Sequence, residues 1–193
     1  MAAKSYTDCL REVTGAKNKL IPLIHHKLGI IFHKLGNDED AAKHFESCLN
    51  IFQSDSLDKK PSNKQIANIM QSLAQCYTNT NNNTKALEFF TKAINVVATV
   101  EDDEKVMLAE ISFAIGKLYS EKILDYDKAL EHLEKALVIR RELGVEEDSK
   151  ANVLFCIAII HEKRKDFNDA TGCLTEVSFL YQIAYFLIVL ANE

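Results

Sequence analysis

Small and apolar residues recur along this chain in one arrangement, met four times. It consists of a helix, a short polar turn, and a second helix that opens on Ala with an apolar residue four positions on. The first instance reads Leu28-Gly29, Phe32, Gly36, Ala41, Phe45 and Cys48, and the second Leu73-Ala74, Tyr77, Asn81, Ala86, Phe90 and Ala93. The third reads Ile115-Gly116, Tyr119, Leu124, Ala129, Leu133 and Ala136, and the fourth Ile157-Ala158, His161, Lys165, Ala170, Leu174 and Val177. The anchoring Ala residues are separated by 45, 43 and 41 residues. The intervening turns (Gly36 to Asp38, Asn81 to Asn83, Asp125 to Asp127, Lys165 to Phe167) are rich in residues that cap helices or tolerate turns.

The pattern has a direct physical reading. Small residues in the first helices (Gly29, Ala74, Gly116, Ala158) and the anchoring Ala residues in the second let paired helices approach closely. Aromatic side chains at Phe32, Phe45, Tyr77, Phe90 and Tyr119 fill the gaps between hairpins. No such hairpin can bury its apolar face alone, so neighbours must stack. The spacing predicts an all-α fold, an α-α superhelix of four hairpins over about 20–58, 62–100, 104–143 and 147–177.

These residues and their spacing resemble the tetratricopeptide repeat (TPR) family over about residues 20–177. The period exceeds that family's roughly 34 residues. It is similar to the kinesin-light-chain branch, where each helix gains about a turn, and Asp127 to Leu130 and Lys135 to Gly144 carry that likeness. The resemblance implies a right-handed superhelix that holds a partner's peptide or helix in its concave groove. For the kinesin-like branch it implies adaptor work linked to motors or the cytoskeleton. The departures are specific. The family's usual Trp is replaced by His25, Met70, Ser112 and Leu154, and its closing Pro is absent. The third hairpin carries one extra residue between Tyr119 and Ala129, and the fourth has His161 where an aromatic residue is expected.

The two ends differ from the repeats. Residues 1–19 read as an N-terminal helix, and Ala2, Tyr6 and Cys9 repeat the spacing of Ala41, Phe45 and Cys48, as half a repeat would. Residues 178–193 read as a C-terminal helix that is apolar all round, where a solenoid ordinarily ends on a polar face. Val177 to Ala191, interrupted by Ser178 and Gln182, falls short of the roughly 20 residues that span a bilayer. The segment reads instead as the end of a fragment or alternative form of a longer protein, or as a self-association or partner surface through 178–190.

Composition narrows the function classes. Hydrophobic residues make up 47% of 193 residues, with only six Gly and two Pro, which argues for an ordered helical protein. A net charge of −5 gives no nucleic-acid footprint. Five Cys without a CxxC pair read as reduced packing residues, which points to a cytoplasmic or nuclear setting. No phosphate-binding, nucleophile-elbow or HExxH motif occurs, so neither enzymatic activity nor a cofactor is expected. No metal is expected either: His26 and His33 share a helix face but stand two turns apart, about 10 Å by helix rise, too far to share a zinc ion.

Function is therefore sought on the first helix of each hairpin. Asn68, Gln71, Gln75 and Asn79 are spaced by three, four and four residues and form one stripe of side-chain amides. Such a stripe both donates and accepts, so it can bind an extended peptide backbone. A solvated helix face has the same sequence. By the same register the groove receives His26, Ile30 and His33, then Glu110, Phe113, Lys117 and Ser120, then Asn152, Phe155, Ile159 and Glu162. Phe113 and Phe155 either anchor a partner's side chain or pack against a neighbouring hairpin. Ile30 stands where relatives that clamp a C-terminal carboxylate need a polar donor, so no such clamp is expected. The partner-binding set is thus Asn68, Gln71, Gln75, Asn79, Phe113, Lys117, Asn152 and Phe155. The alternative is a structural subunit that makes contact through the convex face or the apolar C-terminus.

Overall fold

The computed structural model describes residues 20–54, 60–97, 105–144 and 147–191, with side chains for all but Glu147 and 183–191. The half-repeat read at Ala2, Tyr6 and Cys9 lies outside the described residues. The chain divides into two compact units, Met1–Val100 and Glu101–Glu193. The first holds α1 (Leu20–Lys34), α2 (Asp38–Gln53), α3 (Asn63–Asn79) and α4 (Asn83–Val97). The second holds α5 (Lys105–Leu118) with a π-helical turn (Tyr119–Ile123), then α6 (Tyr126–Glu142), α7 (Glu147–Arg164) and α8 (Phe167–Ala191). Among the described residues every regular element is helical. Consecutive helices pair as hairpins, and within each unit the second helix of one hairpin packs on the first helix of the next.

Each hairpin turns in the same way. The residue five before the anchoring Ala adopts the left-handed conformation: Gly36 at φ 76°, Asn81 at 58°, Leu124 at 62° and Lys165 at 65°. The next residue starts the second helix. Its N–H bonds back to the carbonyl of the aromatic position, Asn37 to Phe32 at 2.9 Å, Asn82 to Tyr77 at 2.8 Å and Asp166 to His161 at 2.8 Å. Its own carbonyl accepts from the Ala N–H. The side chains of Asn37, Asn82 and Asp125 also accept an N–H three residues on. One polar residue therefore closes the first helix in a Schellman turn and caps the second.

The extra residue of the third hairpin is taken up inside its first helix. The helix widens into the π turn, so the bond from Asp125 N–H still reaches the Tyr119 carbonyl, at 3.1 Å. A π bulge is how a helix accommodates one inserted residue without losing its cap. The lack of glycine here has a consequence: Leu124 is exposed and sits in a conformation that costs a side-chain-bearing residue roughly 1–2 kcal/mol.

The helices of a pair meet where the sequence places small residues. Ala41, Ala86 and Ala129 are wholly buried and Ala170 nearly so. A Cβ on Gly29 would stand 2.6 Å from the Phe45 ring, and one on Gly116 would stand 2.6 Å from Leu133 and 3.2 Å from the Ala129 carbonyl. The aromatic position then lies against the residue three after the anchor. Phe32 stacks on His44 at 5.4 Å between centroids, Tyr77 on Phe89 at 5.7 Å and Tyr119 on His132 at 5.8 Å.

The fourth hairpin departs from this plan. Leu174 corresponds to the buried Phe45, Phe90 and Leu133, yet 46% of it is exposed. Helix α8 packs on α7 and reaches α6 through the Arg141–Glu176 ion pair, an arrangement that leaves Leu174 partly open. The apolar C-terminal segment is not a separate element either, because α8 continues through residue 178 without a break.

Two substitutions test this account. Gly116→Ala gains helix propensity but drives a methyl into Leu133 and a backbone carbonyl. It should lose about 1–3 kcal/mol in urea denaturation. Leu124→Gly relieves the left-handed strain at an exposed site. Offset by the greater freedom of the unfolded chain, it should gain about 0.5–1 kcal/mol. A loss there would mean the Leu124 side chain stabilises the turn.

Candidate functional site: the first-helix faces

In the first unit the four amides lie along α3 as their spacing requires. Asn68 and Asn79 are exposed, and Gln71 and Gln75 are half-buried. The stripe has two halves with different roles. Gln75 Nε2 donates to Asn79 Oδ1 at 3.1 Å, and Asn79 Nδ2 donates to Asp38 Oδ2 at 2.9 Å. The other oxygen of Asp38 lies 2.5 Å from His33 Nδ1, and Cys76 Sγ lies 3.8 Å from that same nitrogen. Gln75 and Asn79 therefore end a network joining α1, α2 and α3. Among the described residues, the side chains of Asn68 and Gln71 make no hydrogen bond and remain available to an outside ligand.

The network has a definite electrostatic state. Burial alone raises the Asp38 carboxyl, but hydrogen bonds from His33 and Asn79 outweigh it and hold the group below the usual carboxylate range. Burial, and after it the Asp38 charge, pushes the Cys76 thiol up to about 12. Burial does the same to Cys48, whose Sγ donates to the Pro22 carbonyl at 3.2 Å. Elsewhere on α1, His26 packs its ring 6.0 Å from that of Phe45 and Ile30 is half-buried.

In the second unit the two phenylalanines separate. Phe113 is half-buried, packs on the cluster of Leu133, Val153 and Ile157, and lies under the Arg140 guanidinium at 4.8 Å. Arg140 is held there by donating to the Ser149 carbonyl at 2.6 Å. Phe113 is thus a packing residue between hairpins. Phe155 is 52% exposed on α7, between exposed Asn152 and half-buried Ile159. Lys117 pairs with Glu121 at 3.4 Å, and the charges of both reach the half-buried Cys156 thiol on α7. The spacing of Asn152, Phe155 and Ile159 against Lys117 therefore gives a mixed polar and apolar face.

Two features stand apart from the expected groove. Sequence spacing tests residue pairs on one helix, so it did not find the meeting of His33, Asp38 and Cys76, which come from three. The second is an apolar surface on α8, where Phe179 and Tyr181 are exposed beyond Leu174. A cavity of about 630 Å³ lies beside it, lined by residues including Leu137, Arg141, His161 and Cys173, with Arg141 and Glu176 forming an ion pair. Among the described residues no helix is long and apolar enough to cross a membrane.

Two tetratricopeptide repeat family models match, one over residues 65–142 and one over residues 24–53, together more than half of the chain. No curated protein matches the sequence. Among solved structures, BtubC (BKLC) from P. vanneervenii is similar with a TM-score of 0.76 at 19% identity, over 93% of this chain and 72% of that one. The nearly identical TPR-like repeats of a putative kinesin light chain from Podosopora anserina give 0.77 at 15% identity, over 95% and 87%. Cut9-Hcn1, an APC/C hetero-tetramer, gives 0.66 at 23% identity, over 93% and 29%. At these identities the likeness concerns the fold.

The thiol environments lead to one expectation for native protein. At neutral pH a thiol with a pKa near 12 is ionised on the order of one part in 10⁵. Cys48 and Cys76 should therefore resist a small uncharged alkylating reagent until the chain is unfolded. Peptide mass spectrometry across a urea series reads this directly. Prompt labelling of Cys76 in the folded protein would mean that its site opens readily.

Proposed function

Because the chain belongs to the tetratricopeptide repeat family, we propose that it is a non-enzymatic scaffold or adaptor, which holds a peptide or helix of a partner protein against the first helices of its hairpins. The observation that carries this reading is Phe155. It is a large apolar side chain left half in solvent on a mixed polar and apolar face, and the packing of its own unit does not account for it. Aromatic side chains that a partner covers on binding dominate the energetics of many protein interfaces. Asn152 and Lys117 supply polar contacts beside it, and Ile159 extends its apolar surface. On the first unit Asn68 and Gln71 offer amides to a peptide backbone, while Gln75 and Asn79 contribute by holding the α3 end in place. Phe113 supports the face from beneath. The Cut9-Hcn1 hetero-tetramer supports partner assembly as a use of this fold. The kinesin-light-chain likeness favours adaptor work, and free cysteines in the interior favour a cytoplasmic or nuclear setting.

A second reading has its own observation. Leu174, Phe179 and Tyr181 are exposed on α8, and an apolar surface of this kind suits a structural contact or self-association. One experiment separates the two. Partners are identified by proximity capture with quantitative mass spectrometry, and their affinity for purified protein is then measured by calorimetry. Phe155→Ala, with helicity unchanged by circular dichroism, should weaken the identified partner about thirtyfold or more, as truncating a hot spot of about 2 kcal/mol does. Asn68→Ala with Gln71→Ala tests the first unit's own face, and the triple variant removes both faces. Unchanged binding in the triple variant, with loss in Phe179→Ser, would replace the first reading by the second.

A further inference from the structure

We propose that His33, Asp38 and Cys76 form a binding site for one divalent transition-metal ion, with zinc as the preferred occupant. The three residues come from the end of α1, the start of α2 and the last turn of α3. Their donor atoms, one imidazole nitrogen, one carboxylate oxygen and one sulfur, all lie within 4.8 Å of one another. The separations are 2.5 Å from His33 Nδ1 to Asp38 Oδ1 and 3.8 Å from His33 Nδ1 to Cys76 Sγ.

The donor set selects the metal. Calcium and magnesium require several oxygen ligands, and this site offers one carboxylate. Zinc takes sulfur, nitrogen and oxygen together, at roughly 2.3, 2.0 and 2.1 Å, in tetrahedral geometry. Those bond lengths place donor atoms about 3.3–3.6 Å apart. The His33–Cys76 pair is already near that separation. The His33–Asp38 pair is closer because a hydrogen bond joins the two, and it must open by about 1 Å to admit the ion. His33 has the freedom to do so, with 36% of its side chain exposed, whereas Asp38 is 12% exposed and anchored. On loading, the thiol proton of Cys76 and any proton shared by His33 and Asp38 leave to water, and the ion takes their place.

The surroundings are those of a supported site. Zinc sites depend on partners that orient the ligands themselves. Here Asn79 donates to Asp38 Oδ2 and leaves Oδ1 turned toward His33, and Gln75 in turn holds Asn79. The Schellman turn between α1 and α2 fixes the spacing of His33 and Asp38, with Gly36 N–H bonded to the His33 carbonyl at 3.0 Å. Three protein ligands leave a fourth tetrahedral position for water or another donor. A metal here would tie the first hairpin to α3 and would stabilise that unit. The proposal is independent of the partner-binding reading, and neither depends on the other.

The test is titration of the reduced, full-length chain with Co²⁺ and competition by Zn²⁺, followed by absorption spectroscopy. One equivalent of Co²⁺ should produce visible ligand-field bands of tetrahedral type and a near-ultraviolet sulfur-to-cobalt charge-transfer band, both abolished by stoichiometric Zn²⁺. Cys76→Ser should remove the charge-transfer band, and His33→Gln, at a half-exposed position, should remove saturable binding while helicity persists. Asn79→Ala should weaken affinity about 10–100-fold, as loss of an orienting partner does, while Cys173→Ser should change nothing. The thermal midpoint should rise with Zn²⁺ in the wild type and not in His33→Gln. Absence of a charge-transfer band, or a band that survives both Cys76→Ser and His33→Gln, overturns the assignment.

Discussion

The structure depends on how closely the two helices of each hairpin approach. At Gly29 and Gly116 there is no room for a methyl group, because Phe45 and Leu133 occupy the space. The anchoring Ala residues press from the other side and are themselves out of reach of solvent. Close contact between helices forfeits side-chain volume at the crossing and gains dispersion along the whole interface, since interiors pack at crystal-like density. Everything above the hairpin, including which side chains reach solvent, follows from this crossing and from the turn that sets its register.

The turn links local chemistry to tertiary geometry. One polar residue ends the first helix and begins the second, so the angle between them is set within two or three residues. That economy explains how the third hairpin keeps its geometry with an extra residue: the π turn absorbs the insertion before the cap is reached. It also explains why His33 and Asp38, at opposite ends of the first turn, face each other at hydrogen-bonding distance. The same device that closes the hairpin brings an imidazole and a carboxylate together, and α3 adds the sulfur.

The candidate groove was only partly legible in the sequence. Helical spacing placed Asn68, Gln71, Gln75 and Asn79 on one side of α3, and it placed Asn152, Phe155 and Ile159 together on α7. Spacing could not distinguish Phe113 from Phe155. The difference is Arg140, a residue on a different helix whose guanidinium covers one ring and not the other. Nor could it show that Gln75 and Asn79 are already engaged, since their partner, Asp38, lies 41 residues from Asn79.

The sequence by itself determined the helical hairpins, the small residues at their crossings and the family, because these show in a pattern of residue types that repeats along the chain. Tertiary structure alone decided which groove residues are free, that Leu174 is left uncovered, and that His33, Asp38 and Cys76 meet. Those outcomes depend on the register between separate helices, which is set by side-chain volumes at the crossings and leaves no period in the chain to be read.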